Sequence, residues 1–176
     1  MILTGPKIQE EVISGNLTID PFNSSQLNPN SYDFRLGSKL KVYKNLELDT
    51  KTENETETIE LTESGIILYP NKLYLGHTVE KIGSNKFVPI IRGKSSTGRL
   101  GLFVHITADL IDIGYIGRFT LMLHAVQPVR VFPGMRIGQV TFWKVFGDIK
   151  LYDGKYQGSM EPASSQVYKD FKIKNK

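Results

Sequence analysis

The sequence predicts a mainly β fold, closed or sandwiched, in which one short helix precedes many short strands. A helix signal occurs near the start of the chain, and short runs rich in β-branched and aromatic residues then recur between Gly, Pro, Asn or Asp. The 176 residues are 40% hydrophobic and contain no repeat and no internal linker. We therefore expect a single domain over residues 1–176 with its own core.

The predicted helix lies just after the N-terminus. Thr4 can cap it, and Pro6 suits its first turn. Ile8, Val12 and Ile13 form one apolar stripe, and Gly15 can end the helix.

Strand signals dominate the rest of the chain. The predicted strands are 40–43, 65–69, 72–75, 87–91, 102–106, 118–124, 129–132 and 137–145. Residues 50–62 alternate Thr and Glu, which indicates an exposed hairpin or loop. Residues 154–176 are polar and contain Gly and Ser, so we expect a mobile C-terminal arm.

Composition narrows the class of protein. There is no cysteine, which excludes disulfides and cysteine-based zinc sites. No signal peptide and no apolar span are evident, so we expect a cytoplasmic protein without a membrane partner, in the host cytoplasm if a virus encodes it. The net charge of +4 favours anionic partners only mildly. The basic residues are scattered apart from a tail at 169–176, so a nucleic-acid partner is not expected, whereas a small polyanion fits.

Residues 92–102 are the most informative segment. Arg92, Lys94 and Arg99 flank two serines, Ser95 and Ser96, in one Gly-punctuated turn. Cations, hydroxyls and backbone amides that converge in this way suit a polyphosphate. Taken alone, the segment fits an ordinary surface turn with solvated cations better than a phosphate site.

A second segment, residues 107–117, carries a carboxylate in another turn. Asp112 lies between apolar residues there, where it can orient a water molecule or bond its own backbone. Tyr115 follows in the same segment, where it can pack in the turn. Asp109 is a further polar neighbour.

In four segments together the chain resembles the dCTP deaminase and dUTPase superfamily, most closely its deaminase branch. These are 30–37, 93–102, 107–117, and 134–139 taken with 154–158. The resemblance implies a distorted β-barrel or jelly-roll subunit of the dUTPase-like type, a homotrimer with active sites between subunits, and a C-terminal arm that closes over the nucleotide. It also implies a pyrimidine deoxynucleoside triphosphate as substrate and Mg²⁺ bound through the triphosphate.

The resemblance also assigns roles to individual residues. Asp112 becomes the catalytic residue, and Arg35 adds a contact to the phosphates. Arg136 is assigned to a place near the nucleotide or to packing between subunits. The expected phosphate-binding residues are Arg92, Lys94, Ser95, Ser96, Arg99 and Lys155. The expected base- and sugar-binding residues are Thr107, Ala108, Tyr115, Gln139, Tyr156 and Gln157. No metal ligand is proposed, since His77 and His105 have no partners at ligand spacing.

Two positions depart from the deaminase pattern. Lys94 stands where arginine is usual, which keeps the charge but loses the planar two-pronged donor. Met122 stands where deaminases have the glutamate that shuttles protons at C4 of cytosine, and a thioether cannot do this. His124, two residues on along the same strand face, is a possible substitute, although a position at a rim or interface is preferred for it.

These two departures from the deaminase pattern determine how we rank the functional hypotheses. The first is a diphosphatase that converts dUTP, or a 5-modified relative, into the monophosphate and pyrophosphate. The alternative is a dCTP deaminase that forms dUTP and ammonia, which the deaminase-like arm at 154–158 favours over a dedicated dUTPase. The third is a non-catalytic nucleotide-binding or regulatory trimer.

Overall fold

The structure, a computed structural model, describes residues 1–172. Its strands are short except for three, and its helices are few, as the sequence predicts. The elements are α1 (Gly5–Ile13), β1 (Thr18–Asp20), a 3-10 turn (Ser24–Gln26), β2 (Leu27–Asn28), β3 (Ser31–Arg35), β4 (Lys39–Tyr43), β5 (Thr56–Glu60), β6 (Ile66–Leu68), β7 (Tyr74–Gly83), β8 (Phe87–Gly93), α2 (Ser95–Gly98), β9 (Leu102–Phe103), β10 (Ile116–Ala125), β11 (Val129–Val131), β12 (Arg136–Lys144) and α3 (Tyr168–Lys172).

The strands form three sheets around one core. The largest has the order β5-β4-β7-β10-β9, with β1 also paired to β7, and the second has the order β2-β3-β12-β8. Strands β11 and β6 form a separate pair. The core joins side chains from all three sheets, with Phe34, Phe119 and Phe142 fully buried. The fold is thus mainly β, as predicted, and within residues 1–172 no sheet closes into a barrel.

Helix α1 confirms the predicted N-terminal helix, but Ile13 of the predicted apolar stripe is exposed at the end of the helix. Ile8 is fully buried, and the backbone N–H of Ile8 donates to the Thr4 carbonyl, although the Thr4 side chain forms no capping bond. Gly15 follows the helix with φ of +75°, a conformation that glycine adopts without strain. Within residues 1–172 no helix is long and apolar enough to cross a membrane.

Strands β3 and β7 show where the sequence signal was too weak. Only the first two residues of β7 fall within the predicted strand 72–75, and β3 was not predicted as a strand at all. Both strands bury polar side chains, including Asp33, His77 and Glu80. Since apolar residues carry the strand signal, strands whose buried positions are polar escape it. The 50–62 segment does form part of a hairpin, because β5 pairs with β4.

The C-terminal arm, defined here as residues 151–172, lies against the same chain. The N–H of Tyr152 donates to the Ile113 carbonyl at 2.8 Å, and the N–H of Arg118 donates to the Ser159 carbonyl at 2.7 Å. Gln157 adds a side-chain bond to the Gly114 carbonyl at 2.8 Å. The arm therefore runs along the start of β10. Residues 173–176 of the predicted arm and basic tail lie outside the described residues.

Candidate functional site

A cavity of about 500 Å³ lies between β10, the segment that precedes it and the C-terminal arm. Its wall is mostly apolar and includes Leu48, Leu73, Leu75, Ile111 and Met122. Polar atoms at its edge come from His105, Asp112 and Thr120, and from tyrosine and serine hydroxyls. A mostly apolar concave site with few convergent polar groups is the usual form of a small-molecule site.

Strand β10 has the two faces that the sequence predicts. Leu121 and Leu123 are fully buried in the core. Thr120 and Met122 point the other way and line the cavity. His124 shares that face but is not among the described residues that line the cavity, and its Nδ1 lies 3.3 Å from the Lys72 carbonyl oxygen. The methionine that replaces the expected glutamate is therefore at the cavity wall.

Asp112 reaches the cavity because the segment before it pairs with β8. The N–H of Ile91 donates to the Asp109 carbonyl at 2.8 Å, and the N–H of Ile111 donates to the Pro89 carbonyl at 2.9 Å. Within residues 1–172 the exposed Asp112 carboxylate has no hydrogen-bond partner, while its main-chain carbonyl accepts from Tyr115 N–H at 3.1 Å. The turn is thus closed by backbone atoms, and the carboxylate remains available to a bound water molecule.

Tyr115 packs behind Asp112 and helps to hold the turn. Its ring contacts Phe119 and Tyr152, with centroids 5.8 Å and 6.1 Å away. Its hydroxyl donates to the Arg118 carbonyl at 2.9 Å. Burial raises the pKa of Tyr115 to about 12, so this residue stays a neutral wall of the cavity.

His105, to which sequence analysis assigns no role, lies at the cavity beside Met122. The backbone N–H of Met122 donates to His105 Nδ1 at 3.4 Å, and His105 Nε2 donates to the Ala108 carbonyl at 3.1 Å. These partners assign the proton to Nε2. Burial lowers the pKa of His105, so the ring is held neutral. His105 lies in the irregular segment that follows β9, so only the tertiary contacts distinguish it from a structural histidine.

The 93–99 turn follows the end of β8 and is anchored from beneath. Lys94 Nζ donates to Asp33 Oδ2 at 2.5 Å, and the Asp33 side chain is only 3% exposed. Gln139 Nε2 donates to the Gly93 carbonyl at 3.0 Å, and Thr97 Oγ1 donates to the Lys94 carbonyl at 2.9 Å. The turn is thus fixed to β3 and β12.

The remaining residues of this segment face solvent. Ser95, Ser96 and Arg99 are exposed on the turn. Arg92 pairs with Asp109 at 2.9 Å between their charged ends. The exposed cations and hydroxyls can meet a polyanion, whereas Lys94 is already neutralised by Asp33.

Three other cations that the sequence analysis names as candidates are engaged by neighbours within residues 1–172. Arg35 pairs with the fully buried Glu80 at 2.7 Å, and Arg136 donates to Ser25 Oγ at 2.9 Å. Lys155 contacts the carboxylate of Asp170 at 2.7 Å, which raises the pKa of the lysine. These contacts direct all three side chains toward neighbours in the chain.

The predicted base- and sugar-binding residues divide into two groups. Ala108, Tyr115 and Tyr156 line the cavity, with Ala108 at φ of +61°. Three others are not among the described lining residues: Thr107, which is exposed, Gln139 and Gln157. Gln139 instead holds the 93–99 turn, and Gln157 holds the arm to β10 by accepting from Ile116 N–H at 3.0 Å.

The 93–99 turn and Asp112 lie at opposite ends of β8. The antiparallel pairing of Ile90 with Leu110 places Asp112 near the Phe87 end, whereas the turn follows Gly93. Seven strand residues span about 20 Å at the usual rise of a β-strand. A single chain therefore presents two partial sites, one cationic and one cavity with a carboxylate. Within residues 1–172 no group of three or more His, Asp or Glu side chains is placed to hold a metal ion.

Comparison with known proteins identifies the family to which the chain belongs. Residues 2–145 match the family model described as dCTP deaminase-like. Two relatives named dCTP deaminase, dUMP-forming, come from Clostridium beijerinckii and Hathewaya histolytica. The first is 46% identical and the second 45%, each over 97% of this chain and 99% of the relative.

A solved structure shares the fold. The 2'-deoxycytidine 5'-triphosphate deaminase from Agrobacterium tumefaciens superimposes with a TM-score of 0.64 at 24% identity. The match covers 80% of this chain and 47% of that one, so this chain spans about half the length of that protein.

Proposed function

Because the chain belongs to the dCTP deaminase-like family, we propose that it hydrolyses a pyrimidine deoxynucleoside triphosphate at the α-phosphorus. The substrate is dUTP or a 5-modified relative, and the products are the monophosphate and pyrophosphate. Water attacks the α-phosphorus, the bond from that phosphorus to the oxygen bridging to the β-phosphorus breaks, and pyrophosphate leaves.

The observation that carries this proposal is Met122 at the cavity wall. Replacement of an amino group by water requires proton transfer to and from the base, and a thioether neither accepts nor donates protons at neutral pH. Loss of a general acid–base typically lowers a rate by about 10²–10⁴-fold. Hydrolysis at phosphorus does not depend on that position.

The names of the relatives support the same reaction. A dUMP-forming dCTP deaminase starts from a triphosphate and ends at a monophosphate, so its overall reaction breaks the bond beyond the α-phosphorus. If the deamination step is lost from this overall reaction, cleavage of the bond beyond the α-phosphorus is the step that remains. The starting nucleotide is then dUTP, which already carries the product base.

Asp112 is the residue we assign to the water. Its carboxylate has no other partner within residues 1–172 and lies at the cavity, where it can accept a proton from the attacking water. Tyr115 fixes the turn that presents it. Ser95, Ser96 and Arg99 supply donors and charge for the phosphates, with Arg92 beside Asp109.

We place the complete site between subunits of a homotrimer. Asp112 and the 93–99 turn lie at opposite ends of β8, so the turn of one subunit would serve the cavity of another. This division of labour agrees with the exposure of Ser95, Ser96 and Arg99 in the isolated chain. Sedimentation of the protein with and without nucleotide measures the assembly.

Magnesium would arrive on the nucleotide. Within residues 1–172 no group of three or more His, Asp or Glu side chains is placed to cage the ion, so the substrate phosphates would hold it. Bound Mg²⁺ would neutralise phosphate charge. The chain's own residues orient the water and hold the triphosphate.

Product analysis tests the proposal. We expect pyrophosphate and dUMP when the protein is incubated with Mg²⁺ and dUTP, and little ammonia from dCTP. Ammonia from dCTP at a rate comparable with pyrophosphate release would overturn it. Nucleotide binding without any turnover would instead indicate a regulatory nucleotide-binding protein.

A dCTP deaminase is the second candidate, and His105 is the observation that favours it. Its ring lies beside the Met122 backbone at the cavity, and a neutral imidazole is a competent general base. Both ring nitrogens, however, already have backbone partners. Ammonia release that disappears in His105→Gln but survives in His124→Gln would support this candidate.

Restoring the carboxylate provides a sharper test. Met122→Glu places an ionisable group at the cavity wall beside Thr120, and we expect ammonia release from dCTP to rise by about 10²-fold or more. Met122→Gln is the matched control, since it has similar size and no titratable proton. Equal ammonia release from both variants would contradict the role given to this position.

A further inference from the structure

We propose that three hydroxyls, those of Thr120, Tyr43 and Tyr156, present donors to the cavity and select a base with a carbonyl at C4 over one with an amino group. The proposal deepens the proposed function and rests on it for the identity of the ligand. It names the substrate class as uracil or thymine nucleotides and excludes cytosine nucleotides. It also gives the C-terminal arm a part in base selection.

All three hydroxyl oxygens accept a hydrogen bond from the backbone of the arm. Ala163 N–H donates to Thr120 Oγ1 at 3.0 Å. Ser165 N–H donates to the Tyr43 hydroxyl at 3.0 Å. The third bond runs from Gln166 N–H to the Tyr156 hydroxyl at 2.8 Å. Thr120, Tyr43 and Tyr156 all line the cavity, so the arm is fastened to the cavity wall at three successive points.

These bonds set the direction of each hydroxyl proton. A hydroxyl that accepts from a backbone N–H must turn its own proton away from that donor. Within residues 1–172 the three hydroxyls have no acceptor of their own, so their protons remain for a ligand in the cavity. The docked arm therefore presets the wall as a set of donors.

The Asp112 carboxylate and the apolar side chains at the cavity leave these hydroxyls as donors that can face the base. Asp112 is the only acidic side chain among the described residues that line it, and the proposed reaction assigns that carboxylate to the water. Met122 and Leu75, paired across β10 and β7, add apolar surface. A C4 carbonyl can accept from the hydroxyls, whereas a C4 amino group would have to donate to hydroxyl oxygens that already accept from the arm, and it would lose its own bonds to water.

Equilibrium binding of nonhydrolysable α,β-imido analogues of dUTP and dCTP tests the inference without turnover. We expect the unmodified protein to bind the dUTP analogue more tightly. In Thr120→Val, Tyr43→Phe and Tyr156→Phe we expect the ratio of the two dissociation constants to fall by about three- to tenfold each, the usual effect of one neutral hydrogen bond. Titration calorimetry measures both constants.

Two further variants separate the hydroxyl from its surroundings. Thr120→Ser keeps the hydroxyl, so the ratio should remain near that of the unmodified protein. Tyr69→Phe removes a hydroxyl from an exposed tyrosine that is not among the described cavity-lining residues, and should leave the ratio unchanged. Should Thr120→Val fail to fold, the two tyrosine variants decide the question.

The outcomes of binding and hydrolysis are distinct. Equal binding of both analogues by the unmodified protein, or an unchanged ratio in all three variants, overturns the inference even if dUTP is hydrolysed. A preference for the dUTP analogue that falls in the variants, without any hydrolysis of dUTP, supports the inference and overturns the proposed reaction.

Discussion

The two partial sites are held in place in different ways. The 93–99 turn is tied to β3 and β12 by side chains with buried anchors, among them Asp33 and Thr97. The cavity is closed on one side by the arm, through bonds from arm backbone to hydroxyls and through Gln157. The 93–99 turn is therefore held by the sheet itself, whereas the cavity depends on the C-terminal arm that lies over it.

This difference predicts which mutations should lower the stability of the fold and which should lower binding or turnover. Anchors of the turn contribute to the folded state as a whole, because they are buried between strands that define the core. Contacts of the arm contribute to a local docking equilibrium, which can fail while the sheets persist. Mutations at the two sites should therefore separate loss of stability from loss of binding and chemistry.

Asp112→Asn should have the largest effect on turnover, and this effect should be limited to the chemistry at the cavity. Asparagine keeps the shape but cannot accept the proton of water, so we expect turnover of dUTP to fall by about 10²–10⁴-fold. Binding of the α,β-imido dUTP analogue should change little, and thermal unfolding should be unaffected because the carboxylate is exposed. Steady-state rates close to those of the unmodified protein would remove Asp112 from the reaction.

Asp33→Asn should instead destabilise the whole fold. It removes the partner of the Lys94 ammonium at a side chain that is 3% exposed, and we expect a loss of about 2–3 kcal/mol in unfolding free energy. Asp170→Asn is the matched control, since Asp170 pairs with Lys155 at an exposed position, where such pairs contribute about 0–1 kcal/mol. Urea unfolding measures both, and equal losses would contradict the distinction between the two sites.

Acid should weaken the fold through the neutral histidines. Burial lowers the pKa of both His105 and His77 below the ordinary 6.5. Below about pH 6.5 the unfolded chain binds protons that the folded chain does not, so stability falls as pH decreases. For the partly exposed His105 we expect less than about 1 kcal/mol per pH unit after allowance for solvent screening.

His105→Gln isolates that contribution. Between pH 7.5 and pH 5.5 the fall in unfolding free energy should be smaller in this variant than in the unmodified protein. His124→Gln is the control, because that ring lies outside the described cavity lining. A pH profile of His105→Gln that is parallel to that of the unmodified protein would show that His105 titrates normally.

Gln157→Ala should have the smallest effect and limit it to the arm. The side chain donates to the Gly114 carbonyl and accepts from Ile116 N–H, so its loss should weaken arm docking. We expect KM for dUTP to rise about three- to tenfold with little change in unfolding free energy. Gln127→Ala, which removes a single exposed bond to the Leu100 carbonyl, should leave KM unchanged. An equal rise in KM for Gln127→Ala would contradict the proposed contribution of arm docking to substrate binding.

The sequence by itself determined the class of fold, the leading helix and the faces of β10. Alternation along a strand requires no partner to be recognised, so the burial of Leu121 and Leu123 opposite Met122 followed from residue spacing. The order of four motifs likewise identified the family, which the comparisons confirm. Asp112 was selected by the resemblance of its segment to the family motif, and the structure places it at the cavity.

Tertiary structure alone decided which cations and hydroxyls are free to contact a ligand. Lys94 is adjacent in sequence to the exposed serines, yet it is paired with Asp33, 61 residues away. Tyr43 and Thr120 come together at one cavity because the arm folds back over both. Hydrogen bonds between distant residues leave no periodicity in the sequence, so pairing and closure emerge only when the strands and the arm are assembled.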